Sequence, residues 1–316
     1  MEVKPISSQE FLAHNDQIEG SFFGSSFWMY LHGDAIITLG VFGKDNLIGT
    51  LLLFRYSKLG KEFLIHPPLA PHCGLKVEVT AEKRSTRQGQ VKRILSSLAA
   101  YLRDHHKKSY IDFCLPAEFN DAQPFQWLNF EVSPKHSYRL SLKKSEEELL
   151  AEMSTERRKN IKQGASKNYQ IESNGDSENV LDLLMNSVEK ASMPNNAMVL
   201  KNLLALPPTQ YYSTLIYDQS KSAAANIVVF DKTDAFYFAG GYDKTKSDST
   251  SGTIALWASI LKAKKLGCQS FDFLGSSVPQ IERYFRGFGA ELISYPRVRQ
   301  TKGIVAWLKR QKEDSK

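Results

Sequence analysis

The chain has 316 residues, 42% of them hydrophobic and 24% charged, with a formal net charge of +7. This composition excludes a disordered or fibrous chain, and the length suits two domains that each bury their own core. The positive charge favours an anionic partner (nucleic acid, phosphorylated ligand or membrane surface) as much as it favours a merely solvated basic surface, and no run of 18 apolar residues exists to span a membrane.

The N-terminal stretch MEVKPISSQEFLAH lacks a charged-then-apolar signal pattern, which predicts a cytoplasmic protein. Trp28 and Tyr30 read as core packing, and Trp28 is also a candidate for an acceptor pocket. Strands follow at 35–43, 46–57 and 62–67, joined by short polar turns such as Gly43-Lys44-Asp45. The segment HPPLAPHCG (66–74) brings His66, His72 and Cys73 close together. Its three prolines suit a rigid loop, and no fourth ligand has metal-site spacing, so no metal is expected there. Cys73, Cys114 and Cys268 are odd in number and far apart, which argues against a disulfide framework.

Val91, Ile94, Leu95, Leu98, Ala99 and Leu102 recur at the spacing of one buried helix face. The start of that helix carries Arg84, Arg87 and Gly89, where unpaired N–H groups and the helix dipole could hold an anion. A strand at 110–116 and a short aromatic helix at 123–132 come next. Residues 144–168 read as one basic helix opening a second domain, with a capping box from Ser145 and Glu148 and a narrow stripe of Leu149, Met153, Ile161 and Ala165. Its arginines and lysines form either a solvated face or a wall for phosphates.

The same order of elements then recurs. Strands lie at 211–218, 223–231 and 235–243. A helix carries Ile254, Trp257, Ala258 and Leu261 and stops at Gly267. A strand lies at 270–276, and a short aromatic helix at 280–292. Asp112-Phe113 reappears 160 residues later as Asp272-Phe273. Six elements in one order, twice, predict tandem copies of one α/β domain, 1–143 and 144–316. The second helix start, with Ser251, Gly252 and Thr253, offers a second anion site.

Amide formation requires a neutral amine, an activated carbonyl and stabilisation of an oxyanion. Every histidine lies at or before His136, so the second domain offers other bases, with Asp243, Asp272, Glu282, Glu291, Tyr242 or a relayed water as candidates. Asp272 also reads as a structural residue because Asp112 repeats it. Arg283 and Arg286 share a helix face and could clamp a phosphate, or could be solvated. Gly275-Ser276 offers a backbone donor at the carboxyl end of a strand.

The segments ELLAEMSTERRKNIKQG (148–164), FAGGYD (238–243), GTIALWASILKAKKLGCQSFDFLGS (252–276) and above all IERYFRGFGAEL (281–292) resemble the FemAB family of peptidoglycan-bridge aminoacyltransferases, and the whole resembles the GNAT acyltransferase fold in tandem. The resemblance implies two tandem GNAT-like domains of the α/β (α+β) class, each a mixed, mostly antiparallel sheet flanked by helices. It implies transfer of an acyl or aminoacyl group to an amine, from acyl-CoA or aminoacyl-tRNA, with no tightly bound cofactor. The acceptor would be a small-molecule or muropeptide-like amine on the first domain, with Trp28, His66, His72, Arg84 and Arg87 as candidates. The donor would lie on the second, with Ser251, Gly252, Thr253, Gly275, Ser276, Arg283 and Phe285 as donor-binding candidates and Asp243, Asp272 and Arg286 as catalytic ones. The sequence departs from the family at Phe285, where bridge-forming enzymes usually carry lysine, and it is too short over 176–210 for the helical arm of some members. The first departure weighs against a tRNA donor. It leaves open a catalytically silent module that binds an anionic ligand, and the basic tail 296–316 keeps a simple nucleic-acid binder in view.

Overall fold

The computed structural model describes residues 1–15, 22–188, 196–243, 249–275 and 278–300. Two compact units divide the chain, the first of residues 1–135 with the segment from 294 onward, the second of residues 136–293.

The first unit contains β1 (Glu2–Pro5), α1 (Ser8–Asn15), α2 (Ser26–His32), β2 (Ile36–Gly43), β3 (Asn46–Lys58), β4 (Lys61–Ile65), β5 (Gly74–Val77), α3 (Arg84–His105), β6 (Tyr110–Cys114) and α4 (Gln123–Trp127). β7 (Glu131–Ser141) leads out of it into the second unit. That unit contains α5 (Glu146–Glu152), α6 (Thr155–Ala165), β8 (Gln170–Ser173), α7 (Ser177–Val188), α8 (Asn196–Leu204), β9 (Tyr211–Asp218), β10 (Lys221–Phe230), β11 (Asp234–Tyr242), α9 (Ser249–Lys265), β12 (Ser270–Asp272) and α10 (Pro279–Arg286). β13 (Glu291–Gln300) returns the chain to the first unit.

Both units use one plan. In the first, strands run β1-β2-β3-β4-β6-β13, with β5 also on β3. In the second they run β7-β12-β11-β10-β9-β8. Among the described residues the strand pairs within each unit are antiparallel except one: β4 lies parallel to β6, and β11 parallel to β12. Each sheet is completed by the last strand of the other copy. β7, which ends the first copy along the chain, pairs with β12, and β13, which ends the second, pairs with β6. The 160-residue offset holds through these strands as well. Asp112 stands opposite Arg299, and Asp272 opposite Arg139.

The alternation of the strands and the stripe on α3 give the first core, where Ile94, Leu95, Leu98 and Leu102 pack on Leu51, Leu64, Ile111 and Phe113. In the second core Leu256, Trp257 and Ile260 of α9 meet Phe271, Phe273, Phe285 and Phe288. α9 is buried more widely than its sequence stripe suggests, because α6 packs beside it as well as the sheet; Ala255, Leu256 and Ile260 are all fully covered. Trp28 is fully buried, but Tyr30 is 75% exposed, since the helical turn of α2 carries it to the opposite face. No helix among the described residues is long and apolar enough to cross a membrane.

The segment expected as one helix over 144–168 is two. The Ser145–Glu148 capping box opens α5 as expected. Met153 then turns extended and Ser154 caps a new helix by accepting the Arg157 N–H. Arg158 closes the break by donating to the carbonyls of Ala151 and Met153, at 3.1 and 2.6 Å.

Candidate active site

In the second unit β11 and β12 pair only from Asp234 to Phe236 against Ser270 to Asp272. Beyond that point β11 continues on β10, as far as Tyr242 opposite Ala224, while the chain leaves β12 and turns. The carboxyl ends of two parallel strands therefore part, the usual place for a ligand on an open α/β sheet. The turn has two successive left-handed residues, Leu274 at φ 58° and Gly275 at φ 82°. Glycine is required at the second, because a Cβ there would also meet the His136 carbonyl oxygen at 2.7 Å.

Asp272 is fully buried below this turn. Its carboxylate accepts from Ser137 Oγ at 2.5 Å, from the Leu274 N–H at 2.8 Å, and from Arg139 Nη2 at 3.1 Å. A buried carboxylate with such donors is well compensated. Beside it, α10 carries Glu282, which accepts from Tyr138 Oη at 2.6 Å and from Arg286 Nε at 2.8 Å. Arg286 first, then the Tyr138 hydroxyl, holds this carboxyl below the usual range.

A second polar group lies where α6, α9 and α10 meet. Arg157 is only 7% exposed. Its Nη1 donates to Thr253 Oγ1 at 3.2 Å, its Nη2 to Glu156 at 2.7 Å, and its guanidinium lies 4.6 Å from the centre of the Tyr284 ring. Burial pushes the Tyr284 hydroxyl up to about 12. Arg157 Nε and Asn226 Nδ2 are buried donors without an acceptor among the described residues. Each such donor costs about 1–3 kcal/mol unless a ligand or water takes it.

The first unit has the same parting of strands, and it is filled. β4 and β6 pair over three residues, ending at Ile65 opposite Asp112. The next residue, His66, accepts the Cys114 N–H on Nδ1 at 3.3 Å, and desolvation lowers its pKa to about 4, so it is neutral near pH 7. Asp112 is held bidentately by Arg297 at 2.7 and 2.7 Å and also accepts from Tyr110 Oη. His72 is buried, donates from Nδ1 to the Cys73 carbonyl at 2.7 Å, and stacks with Tyr295.

The sequence-derived residues thus fall in distinct places. Asp272 and Gly275 lie at the β12 turn, and Arg283 and Arg286 on α10. Arg283 and Arg286 are exposed, and Arg286 is held by Glu282. Ser276 lies outside the described residues. Asp243 follows β11 directly and donates its N–H to the Ala223 carbonyl. Ser251 and Thr253 are fully buried in the first turns of α9, and Thr253 serves Arg157; among the described residues the nearest atom to where a Cβ on Gly252 would stand is Tyr242 Cδ1 at 3.7 Å. Phe285 belongs to the core, stacked on Phe273 at 5.0 Å and edge-on to Tyr237 at 5.6 Å. In the first unit Trp28 and His72 are buried, His66 fills the strand gap, and Arg84 and Arg87 are exposed on the first turn of α3.

Gly287 and Gly289 make a structural contact. They meet the α5–α6 link: the Gly287 carbonyl accepts the Ser154 N–H at 2.9 Å, and a Cβ on Gly289 would stand 2.9 Å from the Glu152 backbone. Arg157 was missed as a site residue, although Met153, Arg157 and Ile161 at four-residue intervals already put it on the apolar stripe. His136 opens the second unit, so that unit does contain a histidine.

No protein-family model matches the sequence, and no curated protein matches it. Solved structures do. The crystal structure of FemX is 12% identical, with a TM-score of 0.64 over 94% of this chain and 97% of that one. A tandem GNAT protein from the clavulanic acid biosynthesis pathway, described without AcCoA, is 11% identical, with a TM-score of 0.53 over 96% and 99%. L-PGS from Bacillus licheniformis is 6% identical, with a TM-score of 0.56 over 95% and 94%. At these identities the likeness is one of fold, and the fold is two tandem GNAT-like domains: the repeat predicted the tandem α/β copies, and the resemblance implied their GNAT-like character.

Proposed function

We propose that this chain is an N-acyltransferase that carries an acyl or aminoacyl group from an activated donor to an amine, with the chemistry at the end of β12. The observation that carries the reading is the contrast between the copies. The parted strands of the second unit end in a left-handed turn, whereas the first unit closes the same gap with His66. The donor side is then residues 144–316 and the acceptor side 1–143. Acyl-CoA is the favoured donor. The core position of Phe285 leaves no cation where the bridge-forming enzymes carry lysine, and the clavulanic acid relative is described with reference to AcCoA. Arg283 and Arg286 supply exposed positive charge for a donor's phosphates, and Asp243 and His136 are the candidates to accept the amine's proton. The FemAB resemblance suggests a muropeptide-like amine as one acceptor to try, and a cytoplasmic location suits either donor.

Incubation with radiolabelled acetyl-CoA, and separately with radiolabelled aminoacyl-tRNA, over a panel of amines including UDP-muropeptides tests this. Label in an amide is the expected result; no label from either donor refutes the reading. The second reading, a silent module for an anionic ligand, draws on the buried Arg157 Nε donor. Stabilisation by CoA without transfer of its acyl group would favour it.

A further inference from the structure

The two copies use one backbone amide differently. In the first unit Leu115 donates its N–H to the Pro296 carbonyl at 2.8 Å, so the pairing of β6 with β13 runs on to the end of the strand. The residues at the same places in the second unit, 160 positions away, are Gly275 and His136. There the pairing stops earlier, with the Phe273 N–H on the Tyr138 carbonyl at 2.9 Å. The His136 carbonyl faces the Cβ position of Gly275 rather than its N–H. The left-handed turn has rotated that peptide, and the Gly275 N–H has no acceptor among the described residues.

The group that holds the rotation is Asp272. Its counterpart Asp112 turns its carboxylate to Arg297 and Tyr110, and the Cys114 N–H goes to His66. Asp272 instead takes the Leu274 N–H itself, while Ser137 and Arg139 fix the carboxylate from β7. Leucine at positive φ is an uncommon conformation that needs such support.

We propose that Asp272 is a positioning residue, not a base: it holds the Leu274–Gly275 turn so that the Gly275 N–H donates to the carbonyl oxygen of the donor. This rests on the acyltransfer reading. As the amine nitrogen bonds to the carbonyl carbon, the C=O electron pair moves onto the oxygen facing Gly275. When the pair returns, the C–S bond of a thioester breaks, and the departing thiolate takes up the equivalent of the proton the amine loses. A backbone donor fixed in advance at that oxygen acts where charge develops.

The test uses the full chain labelled with nitrogen-15, acetyl-CoA as probe, and amide exchange followed by NMR. In the wild type the Leu274 amide exchanges at least about tenfold more slowly than that of Gly275, and acetyl-CoA moves the Gly275 amide proton downfield. Asp272→Leu equalises the two exchange rates and lowers kcat about 100-fold, with KM for acetyl-CoA changed less than about threefold. Asp112→Leu, which removes the matching carboxylate, destabilises its own unit and leaves kcat within about twofold. Should Asp272→Leu fail to fold, Ser137→Ala removes one support only and lowers kcat about three- to tenfold. Equal losses of kcat from the Asp112 and Asp272 variants, or a Gly275 amide that ignores bound acetyl-CoA, overturn the proposal. If the wild type transfers nothing from any donor, the acyltransfer reading fails on its own. Unchanged Leu274 protection in Asp272→Leu defeats the positioning role whatever the activity.

Discussion

Replacing Gly289 by alanine separates the two things a Gly-Phe-Gly segment can be for. The position has φ +80°, where a side chain costs about 1–2 kcal/mol. The new Cβ would also stand 2.9 Å from the carbonyl carbon and oxygen of Glu152, and backbone cannot step aside as a side chain can, which adds about 1–3 kcal/mol. The sum is a loss of about 2–5 kcal/mol. Gly287 lies two residues earlier with φ −61°, where alanine is unstrained. Its nearest neighbours are Arg157 Cγ at 3.1 Å and, at 3.2 Å, Ser154 Oγ and the Tyr284 carbonyl oxygen, so no atom comes as close as the Glu152 backbone does to Gly289. Alanine there costs less than about 1 kcal/mol, offset in part by the lower entropy of the unfolded chain. Urea titrations of the two variants, followed by circular dichroism, give the comparison directly, provided the slopes agree. A Gly287→Ala variant as unstable as Gly289→Ala, or a Gly289→Ala variant within about 0.5 kcal/mol of wild type, would show that the α5–α6 contact is not what the glycines serve.

Phe285→Lys restores the residue usual in the bridge-forming enzymes, yet it puts an ammonium between Phe273 and Tyr237. The expected outcome is a loss of about 3–5 kcal/mol by urea titration and no gain of transfer from aminoacyl-tRNA. Arg157→Met removes the hydrogen bond to Thr253 and the contact with Tyr284, for a loss of about 2–3 kcal/mol. Arg157→Lys recovers little of it, because a lysine lacks the flat fork. His66 has a folded pKa near 4, below its ordinary value of about 6.5, so the unfolded chain binds the proton first. Its contribution to stability is complete above about pH 6.5 and is lost as pH falls toward 4, and melting curves of His66→Gln should fall less steeply than those of wild type over that window.

The duplication was legible because both helices, both Asp-Phe strands and both hairpins keep their period and spacing. The break between α5 and α6 was also written in the sequence, as Ser154 three residues before Arg157, but a continuous charge run hid it. Other features have no local signature. That Asp272 supports a turn while Asp112 clasps Arg297 depends on Ser137 standing where the first unit has Arg297, a comparison that needs the strand exchange to be known. Phe285 looked like a substituted site residue because an aromatic among arginines reads the same whether it faces a ligand or a core. Arg157 was readable from its four-residue spacing and was passed over because arginine is rarely buried.

The exchange of last strands also sets the order in which the molecule can be finished during synthesis. Residues 1–130 leave the ribosome long before their sheet has its last member, since that strand is encoded some 160 codons later. Until residue 300 emerges, the outer edge of Tyr110–Cys114 has open hydrogen-bonding groups, and Asp112 waits for its arginine. A nascent chain stalled before Ser294 therefore presents a sticky edge to its neighbours, and the first unit, made first, is the last to close.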